Sequence, residues 1–366
     1  MTATPVNIIA AYAQVDQDDS VKLHRQIAHY QSTIESIKHL EINPIQLTIE
    51  PLSVDWHSEQ KENHFRSGCA PIIALKRAQE LIAQGHDAIV ISGDEPLKSG
   101  YQREERHHLM AVYADDYSIA QLYNDLADEF IKYNKISDEE FLELADALFT
   151  NHSRSHEIAI QQQRAHFASP GPKWFNHVTK LFRGVDCANP LIDFSGRLLL
   201  CSDSLAERLN LDKEKLVKVA GVGLGLLNID EVQQLPRIAR YEHLTEAYKS
   251  ACKEADVALN SLITADKVLM EIYTCYPVVP LAFLISSGLV ASMDEVPAFL
   301  SKHLMTITGG MNLARAPWNN PALNGLIEMY QQLTTNSTHQ YGLVHGNGGI
   351  GYRQGIAILE AKHASL

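Results

Sequence analysis

The sequence predicts an α/β fold, on three observations. Short apolar runs bounded by Gly, such as VNIIAAYA near the start and DAIVISGDEP, read as buried strands. Between strand-like runs lie segments that are apolar at helical spacing, such as PIIALKRAQELIAQG, which Gly85 closes. At 366 residues, with 45% hydrophobic and 20% charged residues, the chain has the composition of a soluble globular protein and the length of about two core-sized units.

In chain order, VNIIAAYA and the alternating run IQLTIEPL are the first strands. The helix PIIALKRAQELIAQG and the strand DAIVISGDEP follow, the helix–turn–strand signature of α/β architecture. From about Tyr117 to Phe182 the text becomes helical and polar. Ser137 and Glu140 form a capping box there, and SPGPKW at 169–174 is a break, so this region reads as an insertion rather than core sheet. Strand-like runs return with GRLLLCS, VKVAGVG, DKVLMEIYTC, LMTITGG and YGLVHGNGG. Helices YEHLTEAYKSACKEA and PALNGLIEMYQQL lie among them, and GYRQGIAILEA is the last strand. No tandem repeat of 20 to 50 residues is present, but Cys69-Ala-Pro71 and Cys275-Tyr-Pro277 each open an apolar helix.

Charge and cysteine usage exclude several functions. Lys and Arg number 31 against 44 Asp and Glu, a net charge of −13, which argues against nucleic-acid binding through bulk positive charge. No run approaches the ~18 apolar residues of a membrane span. The N-terminus lacks a basic stretch and makes a poor signal peptide. Five scattered cysteines without a CxxC pair argue against a disulfide framework and a structural zinc site, so reduced thiols and a cytoplasmic location are expected.

Two cysteines occupy positions suited to chemistry. Cys69 follows Gly68 at the start of a helix, where the helix dipole favours a thiolate nucleophile. Cys275 ends a strand before a turn and a helix, where ligands gather in α/β sheets. At either position a small packed thiol is the competing reading. His345 precedes Asn347-Gly348-Gly349 at a strand end, a place for a general base beside an amide cradle. His152 and His156 have the spacing of two metal ligands but no third partner, and their neighbours suggest a solvated face; no metal is expected. AGVGLGLL (220–227) looks like a dinucleotide fingerprint but carries Leu226 where the third Gly belongs, so it reads as strand packing. A nucleotide enzyme built on it is the weakest alternative.

Together these pieces resemble the thiolase superfamily. SGCAPIIALKRAQELIAQGHDAIVISGDE is similar to its nucleophile stretch, and VDCANPLIDFSGRLLLCSDSLAERLNL to the stretch bearing an Asp-Gly-Ala-type turn, here Asp193-Phe194-Ser195-Gly196. MTITGGMNLARAPWNNPALNGLIEMYQQL resembles the Gly-Gly loop leading to a Gly-His-Pro motif, and YGLVHGNGGIGYRQGIAILE the closing Cys-x-Gly-Gly-Gly hairpin. The likeness runs from about Ser67 to the C-terminus and is nearest to sterol-carrier-protein-X-type thiolases and bacterial thiolase-like proteins of the acetyl-CoA acetyltransferase kind.

The resemblance implies two related halves with mixed five-stranded sheets, layered αβαβα, plus a helical loop insertion. Residues 1–116 and 183–215 would form the N-terminal half, 117–182 the insertion and 216–366 the C-terminal half. It implies an acyl-CoA acyltransferase that carries the acyl group on a cysteine thioester, with coenzyme A thioester as substrate and no resident cofactor. A homodimer is expected, with a small acyl-binding partner chain as a further possibility of the family. Cys69, His345 and Cys275 are the catalytic candidates. Gly309, Gly310, Asn347, Gly348 and Gly349 would cradle the thioester, and Arg154, Arg164, Lys173 and Arg183 would meet the CoA phosphates. The departures are specific. The Gly-His-Pro triplet reads Arg315-Ala316-Pro317, so its imidazole is missing, and the family's second cysteine falls on His345. Loss of such a base removes an effect of about 10²–10⁴-fold. The alternative is therefore a non-catalytic subunit that binds acyl-CoA or a partner protein.

Overall fold

The computed structural model describes residues 5–114, 116–335 and 338–362. Nine strands form one sheet in the order β3-β2-β4-β5-β1-β6-β9-β8-β7. They are β1 (Val6–Val15), β2 (Ile45–Ile49), β3 (His64–Phe65), β4 (Ala88–Pro96), β5 (Asp193–Ser202), β6 (Val217–Leu226), β7 (Val268–Glu271), β8 (Tyr341–Gly348) and β9 (Arg353–Ala361). A short antiparallel contact, Asn7 opposite Lys218 and Ile8 opposite Val217, joins β1 to β6.

From that joint the two sides repeat one another. Outward on one side run β1, β5, β4 and β2; on the other run β6, β9, β8 and β7. Each side pairs antiparallel, antiparallel, then parallel. Each first strand also carries one register irregularity, at Ile8/Ala10 in β1 and Val219/Gly221 in β6. The expected five strands per half appear on one side only, because among the described residues nothing on the β7 edge matches β3.

The period of two along the strands builds the layers. Ile8, Leu47, Ile89, Ile91, Leu198 and Leu200 face a central core with helix α2 (Ala70–Ala83) and the helix Pro321–Thr335. Val217, Val219, Val222, Val344 and Leu359 of the other side face that same core. Ile9, Val90 and Leu199 face outward beneath helix α1 (Val21–His39). Met270, Leu343, Ile356 and Ile358 face outward beneath the helices Glu242–Ala255 and Val278–Ser286. Five layers result, helices alternating with the two halves of the sheet, each half apolar on both faces.

Individual segments show why the elements form. Helix α1, which the apolar pattern does not single out, is capped by the Ser20 hydroxyl accepting from Leu23 N–H. Helix α3 (Arg103–Met110) has no buried residue. Helix α4 (Ile119–Asn134) and helix α5 (Asp138–Gln161) lie between β4 and β5, and the Ser137–Glu140 capping box opens α5. The glycines of AGVGLG lie inside β6. A Cβ on Gly221, Gly223 or Gly225 would stand 1.8–2.2 Å from the carbonyl oxygens of Ala251, Ala247 or His243, so they let the helix Glu242–Ala255 rest directly on the strand.

LMTITGG, read as a strand, is irregular. Its donors go elsewhere. Met305 N–H donates to Asn151 Oδ1 (2.9 Å), and Ile307 N–H to Glu271 Oε2 (2.8 Å). A side-chain amide and a carboxylate thus satisfy what a neighbouring strand would have.

Candidate active site

The chain enters α2 through Arg66, Ser67, Gly68 and Cys69. Arg66 is buried and donates from Nε to Glu50 Oε2 (2.7 Å) and from Nη1 to the carbonyls of Trp56 and Ser58. Ser67 takes φ +108°, a left-handed geometry that costs a non-glycine residue about 1–3 kcal/mol. Asn319 holds it there: its Oδ1 accepts from Ser67 N–H (3.0 Å) while its Nδ2 donates to the Glu50 carbonyl (2.8 Å). The buried Ser67 Oγ has no hydrogen-bond partner.

Beside this turn lies a cavity of about 260 Å³, walled by Ser67, Gly68, Tyr123, Tyr273, Cys275, Tyr276, Asn347 and Gly349. Trp56, Tyr113, Met110, Ile119, Met311, Ala316, Pro317 and Trp318 complete much of its wall. Tyr123 and Tyr276 stack at 4.4 Å. Asp230 ties the rim together, accepting from Trp56 Nε1 (2.8 Å), Tyr113 Oη (2.5 Å) and Tyr352 Oη (3.2 Å).

Cys69 and His345 do not form the expected pair. Cys69 is fully buried and absent from the cavity wall. A Cβ on Gly348 would meet its Cβ at 3.1 Å, and one on Gly355 its Sγ at 2.9 Å, so Cys69 packs on the face of β8 and β9 that points to the central helices. His345 points to the opposite face, against the rings of Tyr273 and Phe283. The sheet backbone therefore separates them. The expected low thiol pKa of Cys69 is also reversed, because burial pushes it up to about 12. Desolvation outweighs the helix dipole there. Burial moves His345 the other way, down to about 4, so it is neutral at physiological pH.

Cys275 is the cysteine that faces the cavity. It sits after β7, where its carbonyl accepts from Ala188 N–H (2.7 Å), ahead of the apolar helix Val278–Ser286. Its thiol is also pushed up to about 12 by burial. Asn347 Nδ2 lies 4.0 Å from its Sγ. Ala316, the position of the family's histidine, is in the same wall, so the imidazole is missing from the place the resemblance implies. His107 of α3 is the histidine that does reach the wall.

The other expected residues are dispersed. Of the cradle, Asn347 and Gly349 line the cavity. Gly348 packs on Ser67, while Gly309 packs on His156 and Gly310 on Thr274. Arg154 donates to the carbonyls of Leu300 and Ser301, and Arg164 to that of Ile307. Arg183 pairs with Asp186 and Asp146, and Lys173 lies over the Trp174 ring at 6.0 Å. None of these four cations lines the cavity. A groove formed by Arg103, Glu104, Arg106, His107 and His108 shares His107 and Met110 with the cavity. His152 and His156 are buried rather than solvated. Among the described residues no group of three or more His, Cys, Asp or Glu is placed to hold a metal ion.

This architecture is the thiolase fold. The structure resembles the monomeric SCP2-thiolase-like protein type 1 of Mycobacterium smegmatis with a TM-score of 0.70 at 17% identity, over 100% of this chain and 79% of that one. It resembles the Ltp2-ChsH2(DUF35) aldolase with a TM-score of 0.68 at 13% identity, over the whole of both chains. For the human mitochondrial 3-ketoacyl-CoA thiolase the values are 0.67 and 13%, over 99% of this chain and 100% of that one. No family profile and no curated protein matches the sequence itself.

Proposed function

We propose that this chain is a thiolase-like acyltransferase that takes the acyl group of an acyl-CoA onto Cys275. The supporting observation is that Cys275 is the cysteine in the wall of the aromatic cavity, whereas Cys69 lies behind the sheet. In the transfer, Cys275 gives its proton to solvent and its sulfur bonds to the thioester carbonyl carbon. The bond from that carbon to the CoA sulfur breaks, and the departing thiolate takes up a proton. The cavity lies near the lower end of the usual ligand range of about 300–1,000 Å³, which suits a short acyl group. The CoA phosphates would lie in the groove along α3, where Arg103, Arg106, His107 and His108 stand with one acid, Glu104, and which shares His107 with the cavity. Wild-type protein mixed with a short-chain acyl-CoA is expected to release a burst of one CoA per chain, read with a thiol reagent. C275A abolishes the burst and C69A retains it; a burst that survives C275A refutes the assignment.

A second reading is a non-catalytic subunit that binds acyl-CoA, favoured by alanine at position 316 in the cavity wall. Stabilisation by acyl-CoA without any burst is its signature. Assembly as a homodimer, with or without a small partner chain, belongs to the same proposal. Of the fold neighbours, one is described as monomeric and another as a complex with a DUF35 protein. A cytoplasmic site of action is likewise proposed, in keeping with five free cysteines among the described residues. No helix of those residues is long and apolar enough to cross a membrane.

A further inference from the structure

Behind the cavity wall runs a buried polar chain whose direction two backbone carbonyls fix. Gln354 lies 2.8 Å from the Gly351 carbonyl oxygen and 2.7 Å from Asn347. A carbonyl oxygen only accepts, so the Gln354 atom beside Gly351 is the amide nitrogen, Nε2. Its second hydrogen goes to Asn347, which must present Oδ1. On the far side, Tyr123 Oη lies 2.7 Å from the Gly349 carbonyl and must donate to it. Tyr123 Oη is then free to accept from Asn347 Nδ2 at 2.8 Å. Gln354 Oε1 faces His345 Nε2 at 2.7 Å, so His345 carries its proton on Nε2 and leaves Nδ1 without a partner. Gln354 is fully buried, and Asn347 and His345 are about 1% exposed, so water does not substitute for these bonds.

The remaining hydrogen of the Asn347 amide goes to Cys275, a long contact of 4.0 Å from Nδ2 to Sγ in the cavity wall. We propose that Gln354, backed by His345, is a positioning residue that holds the Asn347 amide with its N–H toward Cys275, where it stabilises the thioester oxygen as negative charge develops on it. This rests on the acyl-transfer reading above. The Tyr123 hydroxyl, whose own proton goes to Gly349, requires the same orientation from the other side. Were the amide reversed, Oδ1 would meet the cavity and Nδ2 would face the Gln354 amide, two donors against each other. The role is that of an oxyanion donor, whose loss costs about 10²–10³ in turnover.

The test compares two reactions of Cys275. Acyl transfer develops charge on a carbonyl oxygen; alkylation by iodoacetamide does not. In Q354M, with the amide released, single-turnover CoA release is expected to slow about 10- to 100-fold with KM little changed, while alkylation stays within about twofold. N347A is expected to slow release to the same degree or more, and the double variant no further than N347A alone. Release within twofold of wild type in either variant overturns the proposal, as does an equal slowing of both reactions. Should Q354M fail to fold, N347A carries the test alone. Wild-type protein that releases no CoA refutes the acyl-transfer reading and this role with it, whereas active wild type with equally active variants refutes this role only.

Discussion

The pH dependence of Cys275 alkylation discriminates between a pre-activated nucleophile and a buried neutral thiol. The perturbation is a pH series from 6 to 10 on the folded wild-type chain. Burial pushes the Cys275 thiol to about 12. At pH 8 its thiolate fraction is then about 10⁻⁴, against about a quarter for an ordinary thiol near 8.5. A more basic thiolate is intrinsically more nucleophilic, which returns part of the difference. Net suppression relative to the unfolded chain is about 10²-fold, and the rate rises tenfold per pH unit with no plateau below 10. Stability moves in the matching direction. The folded thiol keeps its proton where the unfolded one loses it, so the contribution is whole below about 8.5 and is lost as pH rises toward 12. The assay is iodoacetamide labelling read on tryptic peptides, with urea-unfolded protein as the reference. A plateau below pH 9 would show a pre-activated thiolate, and labelling of Cys69 before Cys275 would show that Cys69 is the more accessible thiol; either outcome is contrary to the buried neutral Cys275.

Three further outcomes follow from other parts of the molecule. Glu95 is fully buried and its carboxyl is pushed to about 7 by desolvation, although Leu52 N–H and the Tyr101 hydroxyl donate to it. The fold therefore holds its proton above the ordinary carboxylate range, and stability falls as pH rises from about 4.5 to 7. E95Q is expected to be more stable than wild type by about 1–3 kcal/mol at pH 8 and equal to it near pH 4, by urea denaturation. Gly223→Ala would place a methyl 1.8 Å from the Ala247 carbonyl oxygen and is expected to cost about 3 kcal/mol or lower the soluble yield; a loss under 1 kcal/mol contradicts the packing. Ser67→Gly relieves a φ of +108° and removes an unpartnered hydroxyl, against a glycine entropy cost of about 0.5–1 kcal/mol. A gain of about 1 kcal/mol in denaturant unfolding is expected, and a comparable loss contradicts the strain.

Much of the fold is legible in the sequence because its periodicities are strong. Helix α2 shows its apolar spacing and its Gly85 stop, and strand β4 its short apolar run. LMTITGG misleads because β-branched residues favour strands only where a partner strand exists. Here Asn151 and Glu271 take its donors instead. The site is less legible. The helix-dipole argument for Cys69 holds only for a thiol near solvent, and one-dimensional text does not show that the thiol is sealed against Gly348 and Gly355. The separation of Cys69 and His345 did leave a signal. On strand β8 the period of two sets His345 and Asn347 on one face and Gly346 and Gly348 on the other, and the glycines mark the face that α2 approaches. Gln354 and Ser67 leave no comparable trace. One acts through hydrogen bonds across a hairpin and the other through a backbone angle that a serine rarely adopts.

Whether the cavity or the helix start holds the acylated cysteine is decided by locating the acyl group. Trypsin separates the two cysteines, since Cys69 falls between Arg66 and Lys76 and Cys275 between Lys267 and Lys302. After incubation with a short-chain acyl-CoA and digestion at acid pH, mass spectrometry is expected to find the added acyl mass on the peptide carrying Cys275. The same mass on the peptide carrying Cys69, with none on the other, rules Cys275 out as the acyl carrier.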